Sequence, residues 1–179
     1  IFSTNLDEFF MIRVAGLKRQ VKSKVNELTS DGMSAQEQRD VIYETLTPLV
    51  EEEHRTFNDI IIPELAENGI RIFKYDELNE DDRKKADEYF EEEIFPVLTP
   101  LAIDNVHPFP NLINRSLALA IILDDPDTKE VEEKVCVIQI PNNISRFYSL
   151  ETENQNNYLL LEDIIKANAE KLFTGMHAI

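Results

Sequence analysis

The stretch Phe95–Leu112, FPVLTPLAIDNVHPFPNL, separates two architectures within this chain. Four of the eight prolines, Pro96, Pro100, Pro108 and Pro110, fall inside it. Each fixes φ, removes a backbone donor and pushes the preceding residue away from the α region, so no helix can run through. Yet Phe95, Val97, Leu98, Leu101, Ala102, Ile103, Val106, Phe109 and Leu112 are apolar, too many for a solvated linker. The segment therefore reads as a stiff, extended seam laid against core. Before it, apolar residues recur at helical spacing; after it, they recur at strand spacing.

Upstream, Leu6, Phe10, Val14, Leu17, Val21, Val25 and Leu28 follow steps of three and four, which predicts one long helix from about Asn5 to Leu28. Ser3, Thr4 and Asn5 are candidate caps, and Asn5 with Glu8 has capping-box spacing. If the helix begins earlier, those roles lapse and the polar side chains are free for a ligand. Thr29-Ser30-Asp31-Gly32 breaks the helix, and Ser34 with Glu37 forms a capping box for the next. Its stripe runs through Val41, Ile42, Leu46, Leu49, Val50, Phe57, Ile60, Ile61 and Leu65, with a kink expected at Pro48 and at Pro63. Gly69 is placed as a C′ stop, and Ile70–Phe73 as a short extended stretch. Asn79 then caps a helix from Glu80 to about Ile94, with Ala86, Tyr89, Phe90 and Ile94 inward and a row of carboxylates (Asp81 to Glu93) outward. Such a row is the ordinary pattern of a solvated helix face.

Downstream, Ser116–Leu123 and Lys134–Ile140 flank the turn signal Asp124-Asp125-Pro126-Asp127 and read as an antiparallel pair. Phe147–Leu150 and Tyr158–Leu161 are two further strands, followed by a helix from Glu162 to Phe173. Four strands in a meander would leave a sheet incomplete on one face. The fold class is α+β: an N-terminal helical bundle followed by a partial, mostly antiparallel α+β domain.

Composition narrows the function. The net charge of −17 opposes nonspecific binding to nucleic acid, because phosphate backbones demand clustered Lys and Arg. One stretch breaks this acidity: Arg13, Lys18, Arg19, Lys22 and Lys24 follow one another with no acidic residue between Phe9 and Asn26. It is either a solvated helix face or a polyanion-facing patch. The longest apolar run, Leu117–Leu123, has seven residues, far below the roughly 20 that span a bilayer as a helix. The single cysteine, Cys136, fits a reducing cytoplasm, and its apolar strand makes it a small buried hydrophobe. The four glycines lie too far apart for a phosphate loop, and His54, His107 and His177 share no metal-binding spacing. His107, in Asn105-Val106-His107-Pro108, reads as a capping or seam-packing imidazole rather than a phosphoryl acceptor. The chain opens on Ile1 rather than Met, and is expected to be a piece of a longer protein.

Ser3-Thr4-Asn5-Leu6-Asp7-Glu8-Phe9-Phe10, followed by Arg13-Val14-Ala15-Gly16-Leu17, resembles the opening of the N-terminal helical domain of the long-chain, ATP-dependent polyphosphate kinase family. Glu92-Glu93-Ile94-Phe95-Pro96-Val97-Leu98-Thr99-Pro100-Leu101-Ala102-Ile103-Asp104, with His107-Pro108-Phe109-Pro110 and Asn114-Arg115-Ser116-Leu117, is similar to that family's entry into its head domain. Leu159-Leu160-Leu161-Glu162-Asp163-Ile164-Ile165 resembles a further head-domain signature. The resemblance implies a helical domain over residues 1–95, truncated at its start, and the first part of the head domain over residues 96–179. It implies an enzyme that moves the terminal phosphate of ATP reversibly onto polyphosphate through a phosphohistidine, with Mg²⁺ bound outside this piece. None of His54, His107 or His177 matches the family's catalytic motif, so no catalytic residue and no metal ligand is expected here. Asn5, by resemblance, is the family's contact to ATP from this domain. ATP or ADP, polyphosphate and further copies of the chain, as a dimer or tetramer, are the implied partners. The piece alone is expected to lack kinase activity. The rival reading is a noncatalytic helical interaction or dimerisation module with no nucleotide role.

Overall fold

The computed structural model describes residues 2–24, 28, 32–103, 109–124, 134–150, 156–173 and 177–178. By packing they fall into two compact units, Ile1–Pro63 and Glu64–Ile179.

The first unit is an antiparallel helical hairpin. Its first arm is α1 (Phe2–Phe9), a π turn (Phe10–Val14) and α2 (Ala15–Lys22). Phe9 and Val14 keep helical dihedrals at both junctions, so the arm is continuous. It begins before Asn5 and ends six residues short of the expected Leu28. The reason for the early stop is Lys24, whose φ of 52° is left-handed and cannot propagate a helix. Val25 and the Thr29-Ser30-Asp31 break lie outside the described residues.

The return arm is α3 (Ala35–Arg55) and a π turn (Thr56–Ile61); α4 (Ile62–Glu67) carries the chain across the division after Pro63. The arm starts at the expected capping box: Ser34 N–H donates to the Glu37 carboxylate at 2.8 Å, and Glu37 N–H donates to Ser34 Oγ at 3.2 Å. Pro48 lies inside α3 and does not end it. Ahead of Pro63 the spacing widens instead, and Ile62 N–H reaches five residues back to the Phe57 carbonyl. A π turn of this kind accommodates a residue with no N–H to give. Ser3 Oγ donates to Glu53, Phe10 meets Tyr43 edge-on with centroids 6.0 Å apart, and Arg13 donates to Gln38. Partner numbers fall along the second arm as they rise along the first, which defines the antiparallel pairing. Val14, Leu17 and Ala35 are the buried apolar side chains between the arms.

The second unit contains two sheets where a single four-strand meander is expected. The three-stranded sheet has the order β1 (Ile70–Phe73), β6 (Asn156–Leu160), β5 (Phe147–Leu150). β1 and β6 are parallel, with Ile70 opposite Asn156; β5 and β6 are antiparallel. The four-stranded sheet runs β2 (Pro100–Ile103), β4 (Lys134–Gln139), β3 (Ala118–Asp124), β7 (His177–Ala178), antiparallel throughout. Meander order fails because the long-range partners β1 and β2, from before and within the proline-rich seam, each claim one edge. Pro100 begins the edge strand β2, a position where its missing donor costs no ladder bond.

Between β1 and β2 lie a 3₁₀ turn (Tyr75–Glu77), α5 (Glu80–Tyr89), a π turn (Phe90–Ile94) and a second 3₁₀ turn (Phe95–Val97). Asn79 caps α5 as expected, its side chain accepting from Asp82 N–H at 2.8 Å. After β6 come α6 (Leu161–Ala167) and a 3₁₀ turn (Ala169–Leu172), so the last helix loosens after its second turn. Ala86, Phe90 and Ile94 are completely buried with Leu159, Leu161, Ile164 and Ile165. Ile121, Leu123, Cys136 and Ile138 form a second cluster, and Leu98, Leu119 and Leu172 touch both. The seam is only partly packed: Leu98, Leu101 and Leu112 are half-buried, whereas Phe95, Val97 and Phe109 are exposed. Val106 and His107, like Asp125-Pro126-Asp127, lie outside the described residues.

Candidate functional site

Asn5 sits inside α1, one turn from its start, and its side chain is exposed. A residue already in helical conformation cannot be an N-cap, which requires extended dihedrals. The cap reading of Ser3, Thr4 and Asn5 is thereby overturned. Ser3 is spent on Glu53, while no described residue hydrogen-bonds the Asn5 amide. Phe2 and Phe9 lie exposed on the same helix.

The basic stretch divides in two. Arg13 Nη2 donates to Gln38 Oε1 at 2.8 Å, and the buried Gln38 in turn donates to the Met33 carbonyl at 3.4 Å. Arg13 is therefore an interhelical strut. Lys18, Arg19, Lys22 and Lys24 are exposed on the α2 end of the same arm.

Two of the three histidines lie among the described residues, one in each unit. His54 is exposed near the end of α3, where its carbonyl accepts from Asn58 Nδ2 at 2.9 Å; His177 lies in β7; His107 is outside the described residues. Cys136 is buried and its thiol pKa is pushed up by that burial, the opposite of an activated nucleophile. An open groove of about 530 Å³ runs beside the acidic row, lined by Asp82, Lys85, Glu88, Glu92 and the stacked rings of Tyr89 and Tyr148, whose centroids are 4.7 Å apart. Among the described residues no three His, Cys, Asp or Glu side chains converge to hold a metal ion.

One member of the acidic row is structural. Asp87 Oδ1 accepts from Tyr75 OH at 2.7 Å and from Asn168 Nδ2 at 2.8 Å, tying the first 3₁₀ turn and the end of α6 to α5. Burial first, and the Asp87 carboxylate second, push the Tyr75 pKa up to about 12. Separations of 12 and 81 residues leave no local pattern by which the sequence could reveal this network.

Fold and site together define an α+β protein with a helical hairpin at its front and a basic, amide-bearing first arm. Residues 1–73 match the family model described as the polyphosphate kinase N-terminal domain, and residues 81–179 match the polyphosphate kinase middle domain. The chain belongs to the polyphosphate kinase family. It is similar to the polyphosphate kinase of Bacillus cereus, at 42% identity over 98% of this chain and 26% of that protein. It is similar also to that of Halalkalibacterium halodurans, at 41% identity over 98% of this chain and 25% of that protein. The crystal structure of polyphosphate kinase from Porphyromonas gingivalis superposes with a TM-score of 0.81 at 27% identity, covering all of this chain and 26% of that one. The chain thus spans about a quarter of the length of these relatives.

Proposed function

We propose that this chain is the nucleotide-contacting front of a long-chain, ATP-dependent polyphosphate kinase. In this reading the terminal phosphoryl group of ATP passes to a histidine outside these residues and then to the end of a polyphosphate chain, leaving ADP. Phosphoryl transfer needs concentrated positive charge and metal. In this reading Mg²⁺ is held by the part of the parent enzyme outside these residues. What this chain contributes is Asn5, whose amide supplies one donor and one acceptor to the base, together with surfaces for assembly into a dimer or tetramer. The exposed lysines of α2 suit a route taken by a polyanion. Alone, the chain does not transfer phosphate.

The observation that carries this reading is the position of Asn5 within a helix, exposed and unused by a cap. In the full-length enzyme, Asn5→Ala should raise KM for ATP about tenfold, the scale of one lost pair of polar contacts, and leave the melting temperature unchanged. An unchanged KM would refute the contact. One observation favours the interaction-module reading instead: Val41, Leu49, Phe57 and Ile60 are exposed on the return arm, more apolar surface than a lone hairpin needs. Under that reading Asn5→Ala changes no kinetic parameter.

A further inference from the structure

Asn68 and Gly69 form the one Asn-Gly pair in the sequence, and they fall on the turn between α4 and β1. Asparagine is a thermolabile residue, and a following glycine leaves its own nitrogen unshielded by a side chain. Once the Gly69 N–H proton passes to solvent base, the nitrogen can bond to Asn68 Cγ. The Cγ–Nδ2 bond then breaks, and ammonia leaves with a proton drawn from solvent. Water opens the resulting five-membered imide at either carbonyl. One opening leaves an aspartate at position 68. The other leaves an isoaspartyl link, in which the backbone runs through Cβ and Cγ and is one carbon longer.

Both groups that this reaction needs are engaged. Gly69 N–H donates to the Ala66 carbonyl at 3.1 Å, which holds the proton that must leave first. Asn68 Nδ2 donates to the Glu64 carbonyl at 2.8 Å, which draws the side chain back over the last turn of α4 and away from the next peptide. Little else guards the turn. Asn68 is exposed, and in α4 only Ile62 and Leu65 are half-buried, so local opening breaks few apolar contacts.

We propose that Asn68–Gly69 is a deamidation site kept shut by these two hydrogen bonds, so that the protein is modified there only when the end of α4 opens. The Gly69 carbonyl accepts from Asn156 N–H at 3.1 Å, at the start of the β1–β6 pairing. An isoaspartyl link lengthens the chain just ahead of that carbonyl. An aspartate instead sets a carboxylate against the Glu64 carbonyl at a helix C-terminus, where negative charge is unfavourable and the donor is lost. Either product loosens the junction from which the three-stranded sheet begins.

The test follows the tryptic peptide 56–71, bounded by Arg55 and Arg71, from the full-length enzyme kept in mildly alkaline buffer. In urea, where the turn is lost, Asn68 should gain one mass unit and the peptide should become a substrate for an isoaspartyl methyltransferase. In the native enzyme the gain should be about tenfold slower or more, and should quicken in step with hydrogen exchange at the Gly69 amide as urea is added below the midpoint. Gly69→Ala, compared in urea so that folding plays no part, should slow the gain, because a β-carbon then hinders the attacking nitrogen. No gain in urea, a native rate within about twofold of the unfolded rate, or a native rate indifferent to that exchange overturns the proposal. Aged protein should also exchange faster at the Asn156 amide, and unchanged exchange there overturns the claimed effect on the sheet.

Discussion

Gly69 adopts φ 78° immediately after α4, and a Cβ built there would meet nothing within 4 Å. Its carbonyl accepts from Asn156 N–H at 3.1 Å, so the turn that ends the helix also starts the pairing of β1 with β6. Space is free and the dihedral is not, hence Gly69→Ala should cost about 1 kcal/mol through backbone conformation alone, seen as a lower urea midpoint with an unchanged m-value. This stop is readable in the sequence because glycine is the residue that takes the left-handed region without penalty. Lys24 takes the same region at φ 52° and carries no such signature, which is why the first helix looks longer on paper than it is. Asn5 shows the same limit. Its residue type suits a cap as well as a ligand contact, and the helical backbone around it removes the cap.

At the scale of elements, local signals translate well and remote ones do not. The Ser34–Glu37 box, the Asn79 cap and the strands Phe147–Leu150 and Ala118–Asp124 each follow from residues within a few positions of one another. Which strand joins which sheet depends on β1 and β2 finding partners far along the chain, and periodicity contains no information about that choice. The Asp87 network is likewise invisible locally, and it predicts a pH dependence. Tyr75 has its pKa raised from the ordinary 10 to about 12, so the folded state keeps the phenol protonated where the unfolded chain ionises. Its stabilisation is complete below pH 10 and is lost as pH rises towards 12. Tyr75→Phe should therefore lower stability at pH 8 by about 1 kcal/mol, the worth of one hydrogen bond, and flatten the decline between pH 10 and 12. Urea midpoints for both proteins at pH 8 and pH 11 check the slope as well as the offset. A parallel slope would mean that Tyr75 does not titrate differently on folding.

For the molecule as a whole, the proposed domain division at residues 95 and 96 and the packing division after Pro63 make different demands on a shortened chain. The first follows the switch from helical to strand spacing. The second follows where side chains are buried, and places α5 with the sheets that come after it. Ala86, Phe90 and Ile94 have no exposed surface, and their neighbours Leu159, Ile164 and Ile165 have none either. A protein beginning at residue 96 would lose the first three and open the other three to water. Truncation of single large side chains in such sites costs roughly 2–5 kcal/mol, and a domain this size has about 5–15 kcal/mol in total. Residues 64–179 should accordingly unfold in one cooperative transition with dispersed amide resonances, while residues 96–179 should bind a hydrophobic dye and melt without a transition. Cooperative melting of the shorter protein would support the border at 95 and 96. It would also require α5 to be an accessory that the α+β core can do without, in which case Asp87→Ala in the longer protein would leave the melting temperature unchanged.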